Sequence, residues 1–223
     1  MKTRIVYLLF LSTGTMLSKT IDFYTKTSLN HVSISLDRSL DLVYSFGRKR
    51  PNNPFIGGFI KENLNLPLFK NSTCAIYQLE ITEQEYQQLS KKIFLMDSQK
   101  HLYHYNFLGL FGVMLNKEFR RQNAYFCSQF VVTMLQECGV YQGSKPPGLI
   151  RPQDLRAWRK LKLIYQGELK SYPYFKDQPV EEHRSSFKQS LCYYNLYLDY
   201  RITKTKNLAR RTWKHILFFL KSA

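Results

Sequence analysis

Tyr125-Phe126-Cys127-Ser128-Gln129-Phe130-Val131 is the stretch whose reading decides the rest of the chain. From Phe126 to Gly139 the apolar residues Phe130, Val131, Met134, Leu135 and Cys138 recur at helical spacing, and Gly139 stands where a left-handed C-cap belongs. The pattern predicts a helix with Cys127 at its start. Unpaired backbone N–H groups at a helix start carry partial positive charge and stabilise a thiolate. The same groups can receive the oxyanion of a tetrahedral intermediate. Cys138 falls at the far end on the apolar face, where the dipole opposes a thiolate, and reads as core.

A thiolate nucleophile needs an imidazole to take its proton and later protonate the leaving group. Of His31, His101, His104, His183 and His215, the first has the clearest setting. Asn30-His31-Val32-Ser33-Ile34-Ser35-Leu36 alternates strictly between polar and apolar, which predicts a half-buried strand. Val32, Ile34 and Leu36 point one way; His31, Ser33 and Ser35 point the other. Asp37-Arg38-Ser39 supplies a turn, and Leu42 to Phe46 returns as a hairpin partner. His101 and His104 are three apart, but no carboxylate cluster accompanies them, so neither a metal nor a cofactor is expected.

Working outward, Ile5 to Leu11 reads as a buried first strand. Lys2 and Arg4 ahead of it imitate a signal peptide, but the run is short and no A-x-A-like site follows. Leu17 to Tyr24 suits a short helix, and Gly47 to Pro67, with its prolines and Gly57-Gly58, reads as loop. Cys74 to Ile81 is a third strand. Thr82 and Glu85 form a capping box that opens a helix through about Met96. Tyr103 to Leu115 has no assignable period. Pro152 starts a further helical turn, and Leu161 to Leu169 is a last strand.

The 223 residues, 44% hydrophobic and 15% aromatic, suit one packed core rather than a disordered chain. Four scattered cysteines without a C-x-x-C pair fit free thiols better than a zinc ribbon or a disulfide-stapled domain. The formal charge of +17 favours anionic partners. Composition divides the chain into a domain over 1–170 and an aromatic, basic extension over 171–223. Residues 201–223 carry no acid and interleave Lys and Arg with Leu208, Trp213, Ile216 and Phe219. That pattern fits an amphipathic helix, packed on the domain or lying on an anionic membrane surface. No nucleic-acid-binding module is recognisable, so nucleic acid is not the expected partner.

The Cys127 stretch resembles the aromatic-Cys-Ser-Glu/Gln-aromatic/aliphatic signature of the permuted, NlpC-type papain-like cysteine hydrolases, the YiiX-like group among them. Asn30 to Ile34 resembles their histidine strand, and Pro152-Gln153-Asp154-Leu155 their Pro-x-Asp-Leu element. The histidine strand precedes the cysteine helix, as in the permuted members. The resemblance covers roughly residues 5–170. It implies an α+β, permuted papain-like fold in which a central antiparallel sheet packs against the cysteine-bearing helix. It also implies Cys127 as nucleophile and His31 as base. A third polar residue on the next strand orients the imidazole in such proteins; here that place falls near Ser45, with Asp37 in the turn as competitor, or the site is a Cys–His dyad.

The expected activity is thiol hydrolysis or acyl transfer at an amide or ester carbonyl, on a peptide, a wall fragment or a lipid. The expected compartment is the cytoplasm, with the basic tail as a route to the membrane. The rival reading is an inactive papain-like binding protein that docks on anionic membrane or nucleic acid through that tail.

Overall fold

A computed structural model describes residues 2–12, 29–50 and 53–176. Along the chain the elements are β1 (Thr3–Leu11), β2 (His31–Ser35), β3 (Val43–Arg50), β4 (Asn53–Lys61), α1 (Pro67–Lys70), β5 (Thr73–Thr82) and α2 (Glu83–Ser98). They continue with β6 (His104–Tyr105), α3 (Phe107–Met114), β7 (Ala124–Tyr125), α4 (Cys127–Glu137), α5 (Pro152–Arg156) and β8 (Lys162–Glu168). The main sheet has the order β4-β3-β2-β1-β5-β8, and its neighbouring strands all pair antiparallel. β6 and β7 form a separate short parallel pair.

The sheet is covered on both faces. Val6, Leu8, Phe10, Val32, Ile34, Tyr44, Phe46 and Phe59 pack with Leu89 and Ile93 of α2 and with Phe130, Val131 and Leu135 of α4. On the other face Tyr7, Leu9, Leu11, Val43, Cys74 and Ile76 pack with Leu64, Leu169 and Tyr172. This explains the unbroken apolar run of β1. A strand hydrogen-bonded on both edges and buried on both faces has no position for a polar side chain from Val6 onward. Packing of the second face continues past position 170, through Tyr172 to Phe175.

The capping box at Thr82 and Glu85 forms: Glu85 N–H donates to Thr82 Oγ1 at 3.2 Å and Thr82 N–H to Glu85 Oε2 at 2.7 Å. Gly139 follows α4 with φ +80°. The expectation that Gly47 to Pro67 is loop is corrected, because most of it is the β3–β4 hairpin. Its glycines mark close backbone approach rather than a break. A Cβ on Gly57 would come within 2.8 Å of Tyr105 Cβ, and one on Gly58 within 2.3 Å of the Tyr103 carbonyl oxygen. The segment leading into β6 therefore crosses β4 at backbone contact.

Among the described residues no helix is long and apolar enough to cross a membrane. The expected helix at 17–24, the tail at 201–223, His183, Cys192 and His215 lie outside the described residues.

Candidate functional site

Cys127 opens α4 after Phe126, which is extended as the N-cap at φ −105° and ψ 171°. Several contacts hold this helix start. Phe126 N–H donates to Gln129 Oε1 at 3.4 Å, and Asn106 Nδ2 donates to the same oxygen at 3.3 Å. Ser128 Oγ donates to the Ile150 carbonyl at 2.6 Å, tying the first turn to the chain before α5. Behind them, Phe126 and Phe130 are buried. The helix start is thus fixed against β2, with Cys127 Sγ 4.0 Å from the Asn30 carbonyl oxygen.

The imidazole meets that thiol from β2. His31 and Ser33 share a face of the strand by its two-residue period. The register that pairs Ile34 with Tyr44 sets Ser33 beside Ser45 of β3. Ser45 in turn pairs with Ile60 of β4, and one backbone bond beyond β4, from Glu62 N–H to the Val43 carbonyl at 2.8 Å, continues the ladder. Glu62 therefore lies on the face of Ser45, alongside His31. His31 Nε2 is 2.7 Å from Glu62 Oε1, and Ser33 Oγ donates to that oxygen at 2.9 Å. Ser45 Oγ donates to it as well. With Nε2 taken by the carboxylate, Nδ1 is the nitrogen left for the sulfur.

The ionisation of the three groups follows from this line. Burial pushes the Cys127 thiol up, but the His31 imidazole and the backbone N–H groups of Val32 and Ser128 pull it down further, so the net shift is downward. Burial pushes the His31 imidazolium down, yet the Glu62 charge and the Cys127 sulfur outweigh it and raise the pKa to about 10. Glu62 is raised by burial and lowered more by His31, Ser45 and Ser33, for a net fall. The three groups favour alternating charge: Cys127 is shifted toward the thiolate, His31 toward the imidazolium and Glu62 toward the carboxylate. Each shift is supported by its neighbour in a largely buried setting.

The expected partner of the imidazole is corrected. Ser45 is present, but its hydroxyl serves the carboxylate, and Glu62 is the group that bonds His31. Asp37 is occupied elsewhere. Its carboxylate accepts from the backbone N–H groups of Asp41 and Leu42 at 2.9 and 2.7 Å and from Ser39 Oγ at 2.6 Å, so it closes the hairpin turn. Local sequence hides Glu62, because Gly57 and Gly58 give the strand just ahead of it the composition of a loop. A signal existed: between Asp41 and Glu62 the chain has no acidic residue, so Glu62 is the first carboxylate after the hairpin.

Among the described residues, the remaining thiols and imidazoles stand apart from this line. Burial pushes the Cys74 thiol up to about 12 and raises that of Cys138, which packs in the core as expected. His101 and His104 are exposed. Asp154 of the Pro-x-Asp-Leu element is raised by burial but held down more strongly by Arg151 and Lys145, to about 2. It accepts Arg151 N–H at 3.1 Å and so caps α5, a structural role.

No protein-family model, curated protein or solved structure matches this chain.

Proposed function

We propose that this chain is a thiol hydrolase or acyltransferase with a permuted papain-like arrangement, acting on an amide or ester carbonyl. The observation that carries the reading is the buried line from Cys127 through His31 to Glu62. Its upstream histidine strand, downstream cysteine helix and carboxylate after the adjoining hairpin also support it. An ion pair of this kind is costly to bury for stability alone. A depressed thiol beside an imidazole at a helix start is what nucleophilic chemistry requires.

In the proposed reaction the Cys127 thiolate attacks the carbonyl carbon and a C–S bond forms. The oxyanion faces the N–H groups at the start of α4, where Ser128 N–H already bonds the sulfur. His31 Nδ1–H gives its proton to the leaving amine or alkoxide, the tetrahedral intermediate collapses, and an acyl-enzyme remains. Water, or an acceptor alcohol, then attacks that carbonyl while Nδ1 takes its proton. The C–S bond breaks, and the thiolate and the product acid or ester are released. Glu62 keeps Nε2–H donating throughout, which fixes the tautomer and holds the imidazolium.

The test is incubation with acyl p-nitrophenyl esters and acyl thioesters of several chain lengths, with intact-mass detection of the acyl-enzyme. The account expects one acyl group on Cys127, turnover that falls by about a thousandfold or more in Cys127→Ser and His31→Ala, and a smaller loss in Glu62→Gln. Absence of acylation on any substrate class would leave the inactive, tail-docked binding protein as the better reading.

A further inference from the structure

The helix α3 is built inside out. Along Phe107-Leu108-Gly109-Leu110-Phe111-Gly112-Val113-Met114-Leu115, the glycines are buried and large apolar residues face water. Leu108, Phe111 and Leu115, spaced to share one helical face, are 57%, 62% and 72% exposed, and Met114 and Phe119 are exposed beside them. On the inner face there is no room for a side chain. A Cβ on Gly109 would meet Asn106 Nδ2 at 2.3 Å, and one on Gly112 would meet the Lys117 carbonyl oxygen at 2.3 Å. A helix of a folded domain ordinarily turns its large apolar residues inward. A contiguous exposed stripe is the mark of an interaction surface.

The chemistry around the stripe indicates what covers it. From Tyr105 to Asn116 the chain has no charged residue; then Lys117, Arg120 and Arg121 follow, all exposed. Lys117 Nζ sits 5.9 Å over the Phe119 ring, which packs on the Gly112 side of α3. Lys117 also follows the exposed Leu115 closely in the chain, so the cations adjoin the C-terminal end of the stripe. The one acid of that loop, Glu118, is neutralised by Arg120 at 2.7 Å and accepts the Gly148 N–H at 3.2 Å. Apolar side chains edged by an excess of cationic charge, on a chain of net charge +17, complement a bilayer with anionic headgroups.

We propose that α3 and the loop after it are a membrane-docking surface. Leu108, Phe111 and Leu115 enter the interface of an anionic bilayer, and Lys117, Arg120 and Arg121 meet its phosphates. The surface is separate from the basic tail at 201–223, and the inference does not depend on the thiol chemistry. It does have a consequence for that chemistry. Asn106, the N-cap of α3, bonds Gln129 in the first turn of α4, so docking would anchor the helix that adjoins the start of α4.

The test is co-sedimentation of the full chain with vesicles of phosphatidylcholine alone or mixed with phosphatidylglycerol, at low and high salt. Binding should require the anionic lipid and weaken with salt. Phe111→Ser with Leu115→Ser, and separately Lys117→Glu with Arg120→Glu, should each reduce it by about tenfold or more. As a gain of signal independent of those losses, Phe111→Trp should add emission that shifts to the blue on anionic vesicles. Three results would overturn the proposal: wild type that does not pellet, an apolar double variant that pellets like wild type, or a Phe111→Trp variant that pellets with its added emission unmoved. So would concentration-dependent self-association abolished by the same apolar substitutions, which would assign the stripe to a second copy of the chain.

Discussion

His31 Nε2 and Glu62 Oε1 stand 2.7 Å apart, thirty-one residues apart in sequence, with the Glu62 side chain fully buried. This contact favours the imidazolium of His31, because the carboxylate offsets the cost of burying its charge, and the imidazolium in turn lowers the Cys127 thiol. Ser33 and Ser45 complete it from β2 and β3, both donating to the same oxygen. The chemistry proposed for Cys127 rests on this carboxylate.

Glu62→Gln keeps the shape and removes the charge. The thiolate of Cys127 then loses the imidazolium that stabilises it, and the pH at which the thiol begins to react should rise by about one unit or more. Removing one partner of a buried ion pair also costs stability, about 3 kcal/mol here. Alkylation rate against pH and urea unfolding read the two effects separately.

Ser45→Ala deletes a hydroxyl donor to a buried carboxylate without touching the imidazole. The expected cost is about 2 kcal/mol in urea unfolding. The pH at which Cys127 reacts should rise less than in Glu62→Gln, since Ser33 still donates to the carboxylate. If Ser45→Ala shifts the profile as far as Glu62→Gln does, the hydroxyl acts on the imidazole directly.

The pH dependence of stability has a definite sign. The pKa of His31 is raised in the fold, so its contribution is fully present below about 6.5 and is lost as pH rises through the folded value. Glu62 is lowered, so its contribution is present above the ordinary carboxylate range and is lost as pH falls through its folded value. In a Cys127→Ser background, which removes the thiol's own titration, the urea midpoint advantage over the further His31→Ala variant should shrink as pH rises above about 6.5. The decline should end below the wild-type value of about 10, because the sulfur no longer raises the imidazole. A gap that stays constant over that range contradicts a charged His31.

Gly58→Ala should destabilise the hairpin that carries Glu62. The added methyl would lie 2.3 Å from the Tyr103 carbonyl oxygen, a backbone atom that cannot swing aside. The expected loss is about 2 kcal/mol or more by thermal or urea unfolding. A Gly139→Ala change meets no neighbour within 4 Å but forces a methyl onto a φ of +80°, so it should cost only about 1 kcal/mol.

Much of the fold was legible because its signals are local. Helical spacing marked α4, strict alternation marked β2, and a capping box marked α2. Legibility stopped where tertiary contact overrides local propensity. Gly57 and Gly58 depress strand propensity, yet they are required by the chain crossing β4, a contact that no window of sequence reveals. Without a visible strand at β4, nothing in the local sequence places Glu62, and only Ser45 and Asp37 offer themselves near His31. The helix α3 was illegible for a related reason: its glycines alternate with large apolar residues that face outward, so no buried stripe appears in its pattern. Cys127 and His31, by contrast, were marked by the elements that carry them.

The most direct test of the account is the pH dependence of iodoacetamide alkylation, resolved by cysteine, in wild type and His31→Ala. The account predicts that Cys127 reacts well below the pH of a free thiol near 8.5 and that Cys74 and Cys138 stay inert in the folded protein. His31→Ala should slow Cys127 at pH 6 by about tenfold or more. A Cys127 that reacts no faster than Cys74, or whose profile is unchanged in His31→Ala, would contradict the ionised thiolate–imidazolium pair and with it the proposed chemistry.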